Sequence, residues 1–283
     1  MTEIATRDGL VFTAWLDGPS DGEPVVMLHG FPQSRHSWRA QVAALAGAGY
    51  RVVAPDQRGY SPGARPDPSD LAAYHVDELV RDVLDITSAC GWQHRRWHLV
   101  GHDWGGMVAW ITAFRHPELL ASLTVFSRPH PAAFRAALEQ PDGDQQHRSR
   151  HHRAFLDGDT ARLLLDDDAA RLRRMLRDGG VPEATIVDYV SILGTPVALD
   201  AALAWYRAVP RLAVTIGPIT VPTMYVWGDR DPTVGRQAAE GTAAHVTGPY
   251  RFVELSGVGH FASDESPDRV SELLLEHLGA HPS

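Results

Sequence analysis

The run Gly101-His102-Asp103-Trp104-Gly105-Gly106 leaves few architectures open. It lies between an apolar segment, Trp97-His98-Leu99-Val100, that reads as a strand and a helical segment from Met107 to Phe114 that ends near Pro117. Glycines on both sides of Asp103 let the chain turn sharply from strand to helix. The residue at the apex of such a turn is held in strained backbone geometry above the sheet, with the N-terminus of the new helix behind it. Negative charge is favoured there. An aspartate at the apex fits a nucleophile, and it equally fits a helix cap, so the remaining chain has to decide.

A nucleophile in this position needs donors for the oxyanion it generates. Pro24-Val25-Val26-Met27-Leu28 reads as a buried strand and runs into His29-Gly30-Phe31-Pro32. The backbone N–H groups of Phe31 and Trp104 are the candidate donors, because fixed amides need no reorganisation when charge develops; Pro32 has no N–H to give. Further on, the strand-like Pro222-Thr223-Met224-Tyr225-Val226-Trp227 ends in Gly228-Asp229-Arg230-Asp231-Pro232, and Phe252-Val253-Glu254-Leu255 leads to Gly257-Val258-Gly259-His260-Phe261. Nucleophile, acid and histidine thus occur in that order, each just after a strand. On spacing alone either Asp229 or Asp231 serves as the acid.

Strand-like and helical segments alternate from about Leu10 to Phe126, after which Ser127-Arg128-Pro129-His130-Pro131 interrupts and no strand pattern returns before Val221. The expected organisation is a core of residues 1–127 and 213–283 with a helical cap, 128–212, inserted into it. Within the insertion, Leu163-Leu164-Leu165, Asp166-Asp167-Asp168 and Arg171 to Leu176 read as helix with a charged outer face, and Val270 to Leu275 as a final helix packed on the sheet. At 283 residues, 44% hydrophobic and 22% charged, the chain suits one large core with an insertion. A net charge of −9 and the absence of any lysine offer no basic patch for nucleic acid. The single cysteine, Cys90, rules out an internal disulfide. Neither a charged-then-apolar leader at Met1-Thr2-Glu3 nor a membrane-length apolar span is seen, so a cytoplasmic protein without a membrane partner, monomeric or homodimeric, is expected. The bias toward alanine, arginine and aspartate suggests a high-GC bacterial source.

These segments, together with Ser37-Trp38-Arg39, Ala54-Pro55-Asp56-Gln57-Arg58-Gly59-Tyr60-Ser61 and Trp205-Tyr206-Arg207, make the chain resemble the α/β-hydrolase superfamily and within it the epoxide hydrolase-like branch, nearly end to end. The resemblance implies a mostly parallel central sheet with helices on both faces and a helical cap. It implies Asp103 as nucleophile, His260 as base, Asp231 rather than Asp229 as the acid that orients it, and Phe31 and Trp104 as the oxyanion donors. Tyr206 is implied as a cap acid on the epoxide oxygen, with Trp38, Trp205 and Phe261 in the pocket, a cis Phe31-Pro32 peptide, a small-molecule substrate and no cofactor. The branch usually aims two cap tyrosines at the oxygen, yet the matching stretch here is Arg148-Ser149-Arg150-His151-His152. His151 or Tyr189 is the candidate replacement. No metal is expected, since no cysteine or carboxylate joins His147, His151 and His152 at a familiar ligand spacing.

Aspartate at the apex has its own chemical reason. A serine that opened an epoxide would form an ether, which water does not readily cleave; a carboxylate forms an ester, whose carbonyl carbon an activated water attacks. Haloalkane dehalogenation is the competing chemistry on the same nucleophile. One large class of those enzymes uses an asparagine where Phe31 stands, and this chain has none, while another pairs two tryptophans, here Trp104 and Trp205. Fluoroacetate-cleaving relatives typically carry arginine where Trp104 stands. A member that keeps the pocket and only binds a ligand is the non-enzymatic alternative.

Overall fold

Eight strands form one sheet: β1 (Thr2–Ala5), β2 (Val11–Asp17), β3 (Glu23–Leu28), β4 (Tyr50–Pro55), β5 (Trp97–His102), β6 (Leu120–Phe126), β7 (Thr223–Gly228) and β8 (Tyr250–Leu255), in the order β1-β2-β4-β3-β5-β6-β7-β8. β1 and β2 are antiparallel to their neighbours and the remaining six strands are parallel. The computed structural model describes residues 1–6, 8–208 and 214–283. Sequence patterning missed β1, which is four residues long at the sheet edge and has only Ile4 buried.

Burial on both faces explains the unbroken apolar run of β3. Side chains alternate across it, so Val25 and Met27 pack with α1 (Arg39–Gly47) and α12 (Pro267–Gly279), whereas Val26 and Leu28 face α2 (Val76–Ala89) and α3 (Trp104–Arg115). Trp38 belongs to the first of these layers. It is fully buried among Val25, Met27 and Phe126, so the expectation that it lines a substrate pocket is wrong; a large apolar ring at the start of α1 fills the space under the sheet instead.

Between β6 and β7 lie α4 (Pro131–Glu139), α5 (Gln145–Arg148), α6 (His151–Phe155), α7 (Thr160–Asp178), α8 (Glu183–Leu193) and α9 (Pro196–Ala208); α10 (Arg236–Gly241) and α11 (Ala262–Glu265) complete the helices of the second half. The boundary expected at 212/213 lies outside the described residues. α7 is not the single charged-faced helix expected. It breaks at Asp166–Ala169, where Asp167, Asp168 and Ala169 adopt positive φ. Three adjacent carboxylates repel one another and aspartate is a poor helix former, while carboxylates at the start of the following helical segment meet its positive end. Among the described residues no single helix is long and apolar enough to cross a membrane.

The loop after β4 ties α9 to α2. Arg58 forms a bidentate pair with Asp82 of α2, Nε to Oδ2 at 2.7 Å and Nη2 to Oδ1 at 2.6 Å, while its carbonyl accepts the indole N–H of Trp205 on α9 at 2.9 Å. Burial pushes the Asp82 carboxyl up to about 6 even with that partner. Replacing Asp82 with alanine removes both hydrogen bonds of the bidentate pair and leaves the buried guanidinium with only Glu78 Oε2, 3.9 Å from Nη2, as counter-ion; the expected loss is about 1.5–3 kcal/mol of unfolding free energy in urea titrations. A loss below about 1 kcal/mol would mean the pair does not hold this loop.

Candidate active site

β3 and β5 are neighbours in the sheet, with Leu28 opposite Gly101, so the turns that follow them meet. Asp103 occupies the tip of the β5–α3 turn at φ 50, a region that costs a residue with a Cβ about 1–3 kcal/mol. Close approach holds it there. A Cβ at Gly30 would overlap Asp103, and one at Gly105 would overlap the Leu28 carbonyl, so both positions require glycine. Gly105 N–H donates to the His29 carbonyl at 3.1 Å and Phe31 N–H donates to Asp103 Oδ1 at 3.0 Å. The Phe31-Pro32 peptide is cis, as the resemblance implied.

His260 follows β8 and faces Asp103 from the other side. Its Nε2 is 3.8 Å from Asp103 Oδ2, too long for a hydrogen bond but close for two charges, and its Nδ1 is 3.1 Å from Asp231 Oδ2. Asp229 instead accepts the Gly257 N–H at 2.7 Å in a surface turn. Asp231 is fully buried and surrounded by donors: the Ser127 hydroxyl reaches Oδ2 at 2.6 Å, and the Thr233 hydroxyl and backbone N–H reach Oδ1 at 2.7 Å. Burial disfavours its ionised form, yet the charge of His260 and these hydrogen bonds outweigh burial and hold the carboxyl well below the usual range. For His260 burial opposes the proton, but the charge and hydrogen bond of Asp231, and then the charge of Asp103, raise it to about 9.

Above Asp103 is a cavity of about 460 Å³ lined by Phe31, Pro32, Asp103, Arg148, Arg150, His151, Phe155, Met175, Asp178, Gly179, Tyr206, Pro232, Thr233, His260 and Phe261. Tyr206 stands edge-on to Trp104, Phe31 and Phe155 with ring centroids 4.9–5.5 Å apart. Burial, followed by the charge of Asp103, pushes its phenol well above the ordinary value, so it remains the protonated donor. His151 also lines the cavity, and its Nδ1 lies 3.0 Å from the Arg148 carbonyl. A carbonyl only accepts, so Nδ1 carries the proton, and Nε2 becomes a donor only when the ring is doubly protonated.

Two other candidates lie elsewhere. Tyr189 is fully buried and its hydroxyl donates to the Asp264 carboxylate at 2.8 Å, because burying a phenol requires a partner and the nearest acceptor is in the core. It is not a second donor to the cavity. Trp205 does not line this cavity either; its N–H is committed to Arg58, so it cannot form the tryptophan pair that would cradle a halide.

Several site residues went unrecognised in the sequence. Ser127, at φ 62 after β6, contacts both Asp231 and His260, and Thr233 sits 3.0 Å from His260 Nδ1. His102, buried and pushed down to about 4 chiefly by desolvation, has Nδ1 2.7 Å from Gln33 Oε1 and Nε2 2.8 Å from the His260 carbonyl, and its neutral ring donates to one of the two. Gln145 on α5 is buried, donates to the Thr233 carbonyl at 2.7 Å and accepts the Gly235 N–H at 2.8 Å, while Arg148 Nη1 donates to the Asp231 carbonyl at 2.6 Å. The one available signal for Ser127 was its place at a strand end beside the Asp103 turn. Gln145 carried none.

The model of the alpha/beta hydrolase fold family matches residues 23–267. An AB hydrolase superfamily protein of Bacillus subtilis, YfhM, is 28% identical over 98% of this chain and 97% of its own length. Epoxide hydrolase A of Mycobacterium tuberculosis is 32% identical over 91% of each chain. The crystal structure of a Bacillus megaterium epoxide hydrolase in complex with an inhibitor superposes with a TM-score of 0.86 at 26% identity, covering 98% of this chain and 100% of that one. Strand order, the strained aspartate turn and these similarities agree: this hydrolase belongs to the α/β-hydrolase fold family, among its epoxide hydrolase-like members.

Proposed function

We propose that this enzyme hydrolyses an epoxide to a vicinal diol through an ester on Asp103, with the helices between β6 and β7 acting as a cap over the site. The observation that carries the reading is the unequal placement of the two Asp103 oxygens under one cavity: Oδ1 accepts the Phe31 N–H, and Oδ2 faces His260. Oδ2 is therefore the attacking atom. It bonds to an epoxide carbon, the carbon–oxygen bond of the ring breaks, and the freed oxygen takes a proton from Tyr206, aided by His151 when that ring is doubly protonated. Water then loses a proton to His260 and attacks the Asp103 carbonyl carbon. The resulting oxyanion, on Oδ1, already has the Phe31 N–H in place and gains that of Trp104; its collapse expels the diol oxygen, which takes its proton from His260, and the water's second proton, left on the Asp103 carboxyl, returns through solvent to the Tyr206 phenolate. Asp231, Ser127 and Thr233 keep Nδ1 of His260 turned away from the substrate. Similarity to epoxide hydrolases over nearly the whole chain supports the substrate class. Halide release, the alternative, lacks its second indole donor, and a purely binding role would leave the relay behind His260 without a purpose.

His260→Gln is expected to trap the ester, so intact-mass spectra after incubation with an epoxide panel show a gain equal to the epoxide, and release slows by roughly 10²–10⁴-fold. Asp103→Asn is expected to show no adduct. Tyr206→Phe should slow adduct formation far more than adduct breakdown in single-turnover traces. Wild-type turnover by the His260 variant, or an adduct in the Asp103 variant before any deamidation, would refute the mechanism.

A second expectation follows from the His260 proton. Its value of about 9 depends in part on the negative charge of Asp103, so converting that carboxylate into a neutral ester removes a stabilising charge and lowers it. The base thus becomes available after alkylation. Asp103→Asn mimics the neutral ester, and NMR titration of His260 in that variant should give a value below the wild-type one. In stopped-flow traces ester breakdown should accelerate with rising pH and level off below about pH 9. An unchanged or higher His260 value in the variant would contradict this coupling.

A further inference from the structure

The main chain around His260 is pinned on both flanks and at its carbonyl. The Glu265 side chain accepts the Gly259 N–H at 2.8 Å and the Phe261 N–H at 3.0 Å, and His102 Nε2 lies 2.8 Å from the His260 carbonyl oxygen. From His102 a chain of contacts runs away from the site. Its Nδ1 lies 2.7 Å from one end of the Gln33 amide, the other end lies 2.9 Å from Oδ2 of Asp264 in α11, and the Tyr189 hydroxyl of α8 closes the chain on the Asp264 carboxyl at 2.8–3.0 Å. Gln33, His102 and Tyr189 are buried, so their polar atoms have to be met by one another.

The protons of this chain do not balance while Asp264 is ionised. Tyr189 and Gln33 then both donate to the carboxylate, the Gln33 oxygen faces His102 Nδ1, and the single N–H of a neutral ring is used there. Nε2 is left with a lone pair against the His260 carbonyl, two acceptors 2.8 Å apart. One more proton removes the conflict. On His102 it would create an imidazolium, which burial and then the charge of His260 oppose, since they push this ring down to about 4. On Asp264 it satisfies the chain from end to end. The acid O–H donates to the Gln33 oxygen once the amide makes a half-turn that exchanges its oxygen and nitrogen, the Gln33 NH₂ donates to His102 Nδ1, and His102 Nε2–H donates to the His260 carbonyl. The contact given up is the long one, 3.4 Å, from Gly30 N–H to Gln33 Oε1.

We propose that Asp264 is a positioning residue for His260 that acts in its protonated form: the acid, relayed through Gln33, fixes the His102 proton on Nε2 and so keeps a donor on the carbonyl of His260. Ionising Asp264 reverses each donor in turn, moves the His102 proton to Nδ1 and withdraws that donor. Burial, the largest cause, pushes Asp264 up to about 7 against the hydrogen bonds from Tyr189 and Gln33, with the charge of Glu265 adding to the rise and that of Arg39 opposing it. His260, Asp103, Asp231 and His29 are the titratable groups around His102. The acid form is the one that satisfies the chain, so the hold on the His260 carbonyl is complete below about pH 7 and is lost as pH rises through that value. The consequence for catalysis rests on His260 acting as the base in the reaction proposed above.

Nitrogen NMR of isotope-labelled wild-type protein should report the Nε2–H tautomer of His102 at about pH 6 and the Nδ1–H tautomer at about pH 8.5. Asp264→Asn, whose amide can donate to Gln33 and accept from Tyr189 at every pH, should hold the Nε2–H tautomer throughout. In single-turnover traces the ratio of ester-breakdown rates, Asp264→Asn over wild type, should rise about fivefold between those two pH values, the worth of one ordinary hydrogen bond. An Asp264 that only fills space would give a ratio independent of pH. A doubly protonated His102 at neutral pH, a wild-type tautomer that does not change, or a constant ratio would overturn the proposal; the NMR measurement uses the wild-type protein and holds even where the variant fails to fold. A tautomer that switches with Asp264 in a protein that turns over no epoxide would remove the epoxide reading and leave the relay standing. Breakdown of an Asp103 ester through His260 beside an unchanging tautomer would do the reverse.

Discussion

Holding a carboxylate at the tip of the β5–α3 turn is the constraint to which the surrounding structure answers. The parallel pairing of β3 with β5 brings the two post-strand turns together, and the positive φ of Asp103 is tolerable because Gly30 and Gly105 let them interpenetrate. Phe31 N–H on one side and His260 on the other then meet the two oxygens separately. The loop after β4 secures this arrangement from below: Gln57 donates through its side chain to the His29 carbonyl at 2.6 Å and through its backbone to His29 Nε2 at 3.2 Å. Burial pushes His29 down to about 3, which leaves Nε2 neutral and able to accept.

Much of this could be read from the chain because the turn chemistry is local. Gly101-His102-Asp103-Trp104-Gly105, His29-Gly30-Phe31-Pro32 and Gly259-His260 each carry their geometric reason in adjacent residues, so fold class and the central cluster followed. Aromatic side chains were less legible. Trp38, Trp205 and Tyr189 look alike in sequence whether they line a pocket or fill a core, and all three are buried, with Trp205 and Tyr189 satisfied by partners distant in the chain. The break in α7 was hidden for another reason: helical periodicity continues on both sides of Asp166–Ala169 and masks the change of direction between them.

The contacts of Ser127 and Gln145, and that of Thr233 with His260, belong to a different category, since each depends on the meeting of segments apart in sequence. Ser127 and Asp231 are separated by 104 residues, and Gln145 and Gly235 by 90. A serine after a strand or a glutamine in a short helix gives no local pattern that distinguishes it from a solvated residue. Ser127 and Thr233 answer the burial of Asp231, whose lone pairs must be met once it is removed from water, and Gln145 holds the backbone just after it.

The grip of α5 on the Asp231–Gly235 loop has a mechanical meaning. Arg148 holds the Asp231 carbonyl and Gln145 holds the Thr233 carbonyl and the Gly235 N–H, so swinging α5 outward would break three bonds to the loop that carries Asp231. The short helix and the loop that carries Asp231 are therefore mechanically one piece, and displacement of either is felt by the other.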